Sequence, residues 1–373
     1  MTESPLPAAP QRSLSNALFK LFAVLLLAGS FAVAWLLMDY QAFAASTVHL
    51  PAGGVSYTIA PGSSVRRIAT DLAQRGIIDK PYLFVLAAYL GGHSHGIRAG
   101  EYALQPGMRP PELLGLFASG KVKQHAFTIV EGWTFRELRA ALAQHQVLLQ
   151  TVGDMQDTAL MDRLGIPGRA PEGWFLPDTY HFPRGTTDAE FLRRAQQAMQ
   201  KQLDLEWSRR APDLPYKDAY QALIMASIIE KETAAPEERP QIAGVFVRRL
   251  KLGMPLQTDP TIIYGLGAGF DGNIKRGDLA ADNPYNTYLR VGLTPTPIAL
   301  PGKAALHAAL HPDAGDALYF VSRGDGTHQF SATLDEHNKA VNTYQLRGRE
   351  PVGSRQSEPG LRPHRNKRPA HVR

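Results

Sequence analysis

Residues 21–38 read LFAVLLLAGSFAVAWLLM, eighteen positions without a charge, and residues 17–19 extend the apolar run past Lys20. About 20 apolar residues wound as a helix span the hydrocarbon core of a bilayer, so this run constrains the chain more than any other and predicts a transmembrane helix over 21–38. The following AFAAS (residues 42–46) offers the small residues of a signal-cleavage site. The apolar run is long for a signal peptide, however, which favours an anchor over a cleaved leader. Arg12 and Lys20 precede the span and Asp39 follows it. The positive-inside rule then expects residues 1–20 in the cytoplasm and the bulk of the chain on the periplasmic, extracytoplasmic side.

A length of 373 residues and 44% apolar content suit two domains, each with its own core. There is no cysteine, hence neither disulfides nor thiolate metal sites. The formal charge of +6 looks like an affinity for nucleic acid until it is located. Residues 346–373 carry eight Lys or Arg and two Glu, which accounts for all of it and leaves the body neutral. That Pro/Gly/Arg-rich end is expected to be a disordered, solvated tail, and nucleic acid is not expected as a partner.

An internal repeat appears at a constant offset of 70. YTIAPGSSVRRIATDLAQRGII (57–78) and FTIVEGWTFRELRAALAQHQVL (127–148) share Thr58/Thr128, Ile59/Ile129, Gly62/Gly132, Arg66/Arg136 and the Leu-Ala-Gln of 72–74 and 142–144. YALQPGMRPPELLGLFASG (102–120) repeats the plan more weakly. Each unit predicts a short strand, a glycine turn and an amphipathic helix, with apolar residues three and four apart. Such strand-turn-helix units resemble LysM modules, which bind N-acetylglucosamine polymers. Downstream, PEGWFLPDTYHFPRGTT (171–187) reads as an aromatic loop. Helices are expected over about 188–210, 218–233, 236–250, 303–310 and 334–346, with a strand in ALYFVSRGDG. The whole predicts an α+β fold: a LysM-like subdomain over 48–125 and a larger α+β domain over 126–345.

The helix LIMASIIEKETAA (223–235) runs apolar on nearly every side and then meets Glu230 and Glu232. Glu230 shares a face with Leu223 and Ala226; Glu232 lines up with Met225 and Ile228. At least one of these carboxyls must therefore point away from open water. A desolvated Glu holds its proton near neutral pH and can give it to a leaving oxygen. Pairing with Lys231, Arg239, Arg248 or Arg249 is the structural alternative, and spacing does not decide between them.

YKDAYQALIMASIIEKET, VFVRRLKLGMPLQTDPTIIYGLG, NPYNTY, GLTPTPIALPG and LYFVSRGDGTHQFSATLDEHNKAV, with PEGWFLPDTY upstream, resemble the endolytic murein transglycosylase family, also called YceG-like. The resemblance covers most of residues 126–344 in order. It implies a single membrane anchor, a LysM-like subdomain and an extracytoplasmic catalytic domain. It also implies lyase cleavage of the MurNAc-β-1,4-GlcNAc bond inside peptidoglycan strands, leaving 1,6-anhydro-MurNAc ends, with Glu230 as the catalytic residue.

Peptidoglycan synthases are implied partners, since a cutter near the membrane would end the growth of nascent strands. One carboxyl suffices in principle, because the sugar's own C6 hydroxyl is a tethered nucleophile that replaces water and a second acid. Gln257, Thr258, Asp259, Tyr264, Tyr285 and Asn286 are the expected glycan contacts, and no cofactor or metal is expected. A hydrolase using Glu230 with Asp259, or a wall-binding scaffold with a structural Glu230, remain the alternatives.

Overall fold

The computed structural model describes residues 12–346. The predicted basic tail and most of the segment before the anchor lie outside the described residues. Helix α1 covers Arg12–Ala45; its apolar part, Leu18–Ala45, has a mean hydropathy of 2.4 and is exposed up to Met38. It is long and apolar enough to cross a membrane, and it contains the predicted span.

The chain then divides into two compact units. The first comprises residues up to Phe127 with His145–Gln150 and Thr179–Asp188. It holds β1 (Val55–Ile59), α2 (Val65–Gln74), α3 (Pro81–Leu90), β2 (Gly100–Leu104) and α4 (Pro110–Ser119), with most of β3 (Gln124–Thr128). Strands β1 and β2 pair antiparallel, with Tyr57 opposite Tyr102. The two rings close on Phe117 of α4, at centroid distances of 5.8 and 5.0 Å. Val65, Ile68 and Leu72, the apolar stripe of the first repeat, are buried against this core, and Phe43 at the end of α1 joins it. The end of the anchor is also tied down by Asp39, which accepts from Lys80 and from Tyr82.

Glu101 on β2 is the buried charge of this unit. Burial alone would raise its pKa, but hydrogen bonds from Ser56, His125, Arg184 and Lys123 outweigh that and hold it well below the usual carboxylate range. Because His125 belongs to β3 and Lys123 immediately precedes it, the carboxylate ties that strand to β2.

The second unit comprises Thr128–Gln144, Thr151–Asp178 and residues from Ala189 onward. Its helices are α5 (Phe135–Ala143), α6 (Asp157–Leu164), then, after β4 (Thr179–Pro183) of the first unit, α7 (Asp188–Ser208), α8 (Ala219–Glu232), α9 (Arg239–Lys251), α10 (Asp259–Leu266), α11 (Arg276–Ala280) and α12 (Lys303–Leu310). An antiparallel hairpin of β5 (Tyr319–Ser322) and β6 (His328–Ser331) precedes α13 (Leu334–Val341).

Helix α8 is the centre of this unit and packs against α9, α10 and α12. It starts where the sequence predicts, with the Asp218 carboxylate accepting the Gln221 N–H at 2.9 Å. Residues 222–229 are all buried, which is why an all-round apolar helix is stable here. Its one internal polar residue, Ser227, donates to Ile224 O and accepts the Ile298 N–H at 2.9 Å. That bond fixes the Pro-rich segment leading to Gly302 against the helix.

The third repeat has the predicted strand, glycine turn and helix, but most of its strand belongs to the first unit and its helix to the second. Its Glu131-Gly132-Trp133 turn is zipped to the Leu300 segment by Gly132 N–H to Leu300 O at 2.9 Å and Leu300 N–H to Trp133 O at 2.6 Å.

Candidate active site

The end of α8 delivers Glu230, Lys231 and Glu232 to the edge of this packed core. Glu230 is fixed by two donors: the Gly302 N–H at 2.8 Å and Arg239 Nη2 at 3.3 Å. Its side chain is only 5% exposed. Burial raises its pKa even though Gly302 and Arg239 act the other way, and the charge of Glu131 adds to the rise.

Arg239 is therefore the basic partner that the sequence left open. Lys231 turns instead to Gly132 O at 3.2 Å, while Arg248 and Arg249 are taken up by backbone carbonyls, among them Ala317 O and Leu318 O at 2.7 Å. Glycine at 302 has a steric cause. A Cβ there would lie 1.9 Å from a carboxyl oxygen of Glu131, so a larger residue would displace that side chain from beside Glu230.

Beside this arrangement lies a cavity of about 580 Å³, lined by Lys231, Tyr264, the first turn of α5 (Thr134, Arg136, Glu137) and the apolar Ile263, Phe270 and Ile298. The acids in its wall are Glu137 and the buried Glu172, and Glu230 is not among its lining residues. Glu172 accepts the Phe135 N–H at 2.9 Å and the Tyr264 hydroxyl at 3.1 Å. It is 5% exposed, and burial pushes its pKa up to about 7 against the lowering effect of those two bonds. Glu230 itself does not line this cavity; it is held by the Gly302 and Arg239 contacts.

Glu172 is not among the residues the sequence singles out: its loop reads as aromatic, and PEGWFLPDTY enters only as one of the family-like blocks. The available signal was a lone acid set in PEGWFLP, among residues too apolar to stay in water. Gly173 beside it, at φ 84°, meets Pro297 so closely that a Cβ would sit 2.6 Å from a ring carbon, which seats the loop against the Pro-rich segment.

A second cavity of about 450 Å³ lies against the other side of the helix end, with Glu232, Arg249, Gln257, Asp259, Tyr288 and His337 in its wall. Burial raises the Glu232 pKa to about 7, and the Asp259 charge contributes. No ion pair of Glu232 is found among the described residues, so the pairing alternative is met by Glu230 and not by Glu232.

The six predicted glycan contacts do not converge on one surface. Tyr264 lines the first cavity, and Tyr285 stands behind it, rings 5.0 Å apart, with its hydroxyl on Thr296. Gln257 and Asp259 line the second. Gln257 holds a left-handed backbone, φ 53°, and accepts from Arg249; the Asp259 carboxylate accepts from Tyr288 at 2.6 Å. A non-glycine residue held at positive φ is strain that the surrounding fold must offset.

Thr258 is 1% exposed and Asn286 likewise. The Asn286 amide donates to Leu279 O and Ala281 O and accepts from Tyr288 N–H. With its hydrogen-bonding capacity used by the loop, Asn286 has nothing left to offer a sugar, which corrects that expectation.

A helix of membrane-spanning length, a small β-α-α-β unit and a helical unit with carboxyls of raised pKa beside cavities define an α+β protein. The YceG-like family model matches residues 57–343, and the chain belongs to that family. It is 36% identical over 310 residues to the endolytic murein transglycosylase of Bacillus subtilis, covering 78% of this chain and 84% of that one. It is 28% identical to that of Streptococcus pneumoniae strain R6, over 87% of this chain and 64% of the relative's length. A crystal structure of a putative YceG-like protein from Listeria monocytogenes superposes with a TM-score of 0.51 at 29% identity, covering 77% of this chain and 98% of that one.

Proposed function

We propose that this chain is a membrane-anchored lyase of peptidoglycan, an endolytic transglycosylase that cuts MurNAc-β-1,4-GlcNAc bonds within strands and leaves 1,6-anhydro-MurNAc ends. The observation that carries the chemistry is Glu230: a desolvated carboxyl with a raised pKa, at the end of a buried helix and oriented by two fixed donors. In this reading Glu230 gives its proton to the glycosidic oxygen as the C1–O bond breaks. It then takes the proton of the C6 hydroxyl as that oxygen bonds to C1. Proton count is conserved, and no water is consumed.

Reaching the substrate requires the Glu230–Arg239 contact to yield to the glycan. Glu172, with its pKa near 7 in the cavity wall, is the second acid of the reading. It holds the sugar by hydrogen bonding and supports the charge that develops in an oxocarbenium-like state. Tyr264 and Tyr285 on one side, Gln257 and Asp259 on the other, serve as sugar contacts.

The LysM-like subdomain over 48–125 is read as a glycan grip, a role supported by its β1-α2-α3-β2 order and by the repeat. The domain over 126–345 carries the catalysis. Arg12 and Lys20, on the N-terminal side of the apolar span, support an N-terminus in the cytoplasm and both units beyond the inner membrane. Nascent strands are then the nearest substrate, and peptidoglycan synthases the natural neighbours.

Mass spectrometry of glycan fragments from purified sacculi tests this. Wild-type protein is expected to give anhydro ends, and Glu230→Gln to lose about 100-fold or more of the rate. Reducing ends in place of anhydro ends would make the protein a hydrolase. Full activity of Glu230→Gln, with loss in Glu172→Gln, would move the proton-transfer role to the cavity acid.

A further inference from the structure

Far along α12 from Gly302, the helix ends in two histidines one turn apart, and α7 presents a carboxylate to them. Glu206 Oε2 lies 2.9 Å from His307 Nδ1 and 3.7 Å from His311 Nε2, and the three facing atoms all lie within 4.8 Å of one another. The imidazoles are stacked, 4.3 Å between centroids and tilted by 27°. We propose that Glu206, His307 and His311 bind a divalent transition-metal cation, zinc(II) by preference, which staples α7 to the end of α12. This proposal is independent of the glycan chemistry.

Three features carry it. Zinc takes nitrogen and carboxylate ligands at about 2.0–2.2 Å in a tetrahedron, which sets neighbouring donors roughly 3.3 Å apart. The two measured separations bracket that value, so a cation enters by small side-chain shifts, with water in the fourth position.

The carboxylate is also pre-aimed. Gln202 Nε2 donates to Oε1 at 3.1 Å and leaves Oε2 for the imidazoles, as the outer partners of a metal carboxylate commonly do.

Charge balance points the same way. The Glu206 side chain is 13% exposed, and its only ion-pair partners among the described residues are these two histidines. The nearby Arg210 is engaged elsewhere, donating to Trp207 O and lying over the Trp207 ring at 4.1 Å. A cation between the three groups, at the negative end of the α12 dipole, supplies the positive charge that no Lys or Arg among the described residues brings to this carboxylate. His307 is 59% exposed in its side chain, which gives the ion a way in from solvent.

The experiment uses the full chain in detergent, free of any polyhistidine tag and stripped with chelator, titrated with zinc chloride by calorimetry and by thermal unfolding. One saturable equivalent is expected, with a rise in Tm that magnesium chloride does not produce, since hard cations prefer oxygen cages. His307→Ala, at an exposed position that does not threaten folding, is expected to weaken zinc about tenfold or more, and Glu206→Gln likewise. Absence of saturable binding, or zinc binding unchanged in both variants, would overturn the site and leave the trio as a plain ion pair.

Discussion

Glu172 and Glu232 are carboxyls at the cavity walls, each with a pKa raised to about 7 by burial, against an ordinary value of 4.5. A carboxyl of raised pKa holds its proton more tightly in the folded state than in the unfolded one. The stability it lends is therefore complete below about pH 4.5 and is lost as pH climbs through about 7. The protein is expected to lose resistance to denaturant between pH 5 and pH 8. Glu172→Gln, which cannot ionise, should remove on the order of 3 kcal/mol of that loss. Denaturant unfolding of both proteins at the two pH values measures it, and equal losses would mean that Glu172 is already hydrated. The same position tunes Glu172 for chemistry, because a group half protonated near neutrality serves as donor or acceptor.

Helix α8 acts on the site through one internal hydroxyl. Ser227 accepts the Ile298 N–H in a fully buried setting, and the segment it holds runs on to Gly302, whose N–H orients Glu230. Ser227→Ala leaves that backbone donor unpaired and should cost about 1–3 kcal/mol of stability. Because the freed segment carries Gly302, glycan cleavage should also slow under conditions where the variant is still fully folded. A variant that unfolds more easily but cuts at the wild-type rate would show that Gly302 is held by other contacts, the N-terminus of α12 foremost. Helix α12 thus has a different task at each end: a bare N–H for Glu230 at its start, and the paired histidines at its finish.

At the scale of the molecule, α1 is more than an apolar extension. Its last turn contributes Phe43 to the core of the first unit, and Asp39 is bound by Lys80 and Tyr82. Removing residues 1–38 is expected to leave a folded, soluble protein that cleaves isolated glycan in vitro, yet complements poorly in cells because it has left its nascent substrate. Removing residues 1–47 instead exposes the core where Phe43 sat and should lower Tm by several degrees. Thermal unfolding of the two truncations, beside activity in cells and in solution, checks both. An equal loss of cleavage in cells and in vitro for the shorter truncation would contradict a localising role for α1.

Much of this protein is legible along the chain because local rules decide it. The charge-free run before Asp39, the Asp218 cap of α8, the limits of α12 and the apolar stripes of the repeats each follow from residues within a turn or two of one another. The family is legible for a similar reason: its motifs are contiguous blocks in fixed order. Three things were decided by contacts outside any one element. Arg239 became the partner of Glu230 when a 3-10 turn at Pro236–Glu238 brought α9 back along α8. Glu172 became a wall acid because Phe135 and Tyr264, 37 and 92 positions away, supply its hydrogen bonds. The Glu206–His307 pair joins residues 101 positions apart. Desolvation and hydrogen bonding depend on which surfaces meet in space, and periodicity along a chain carries no record of that meeting.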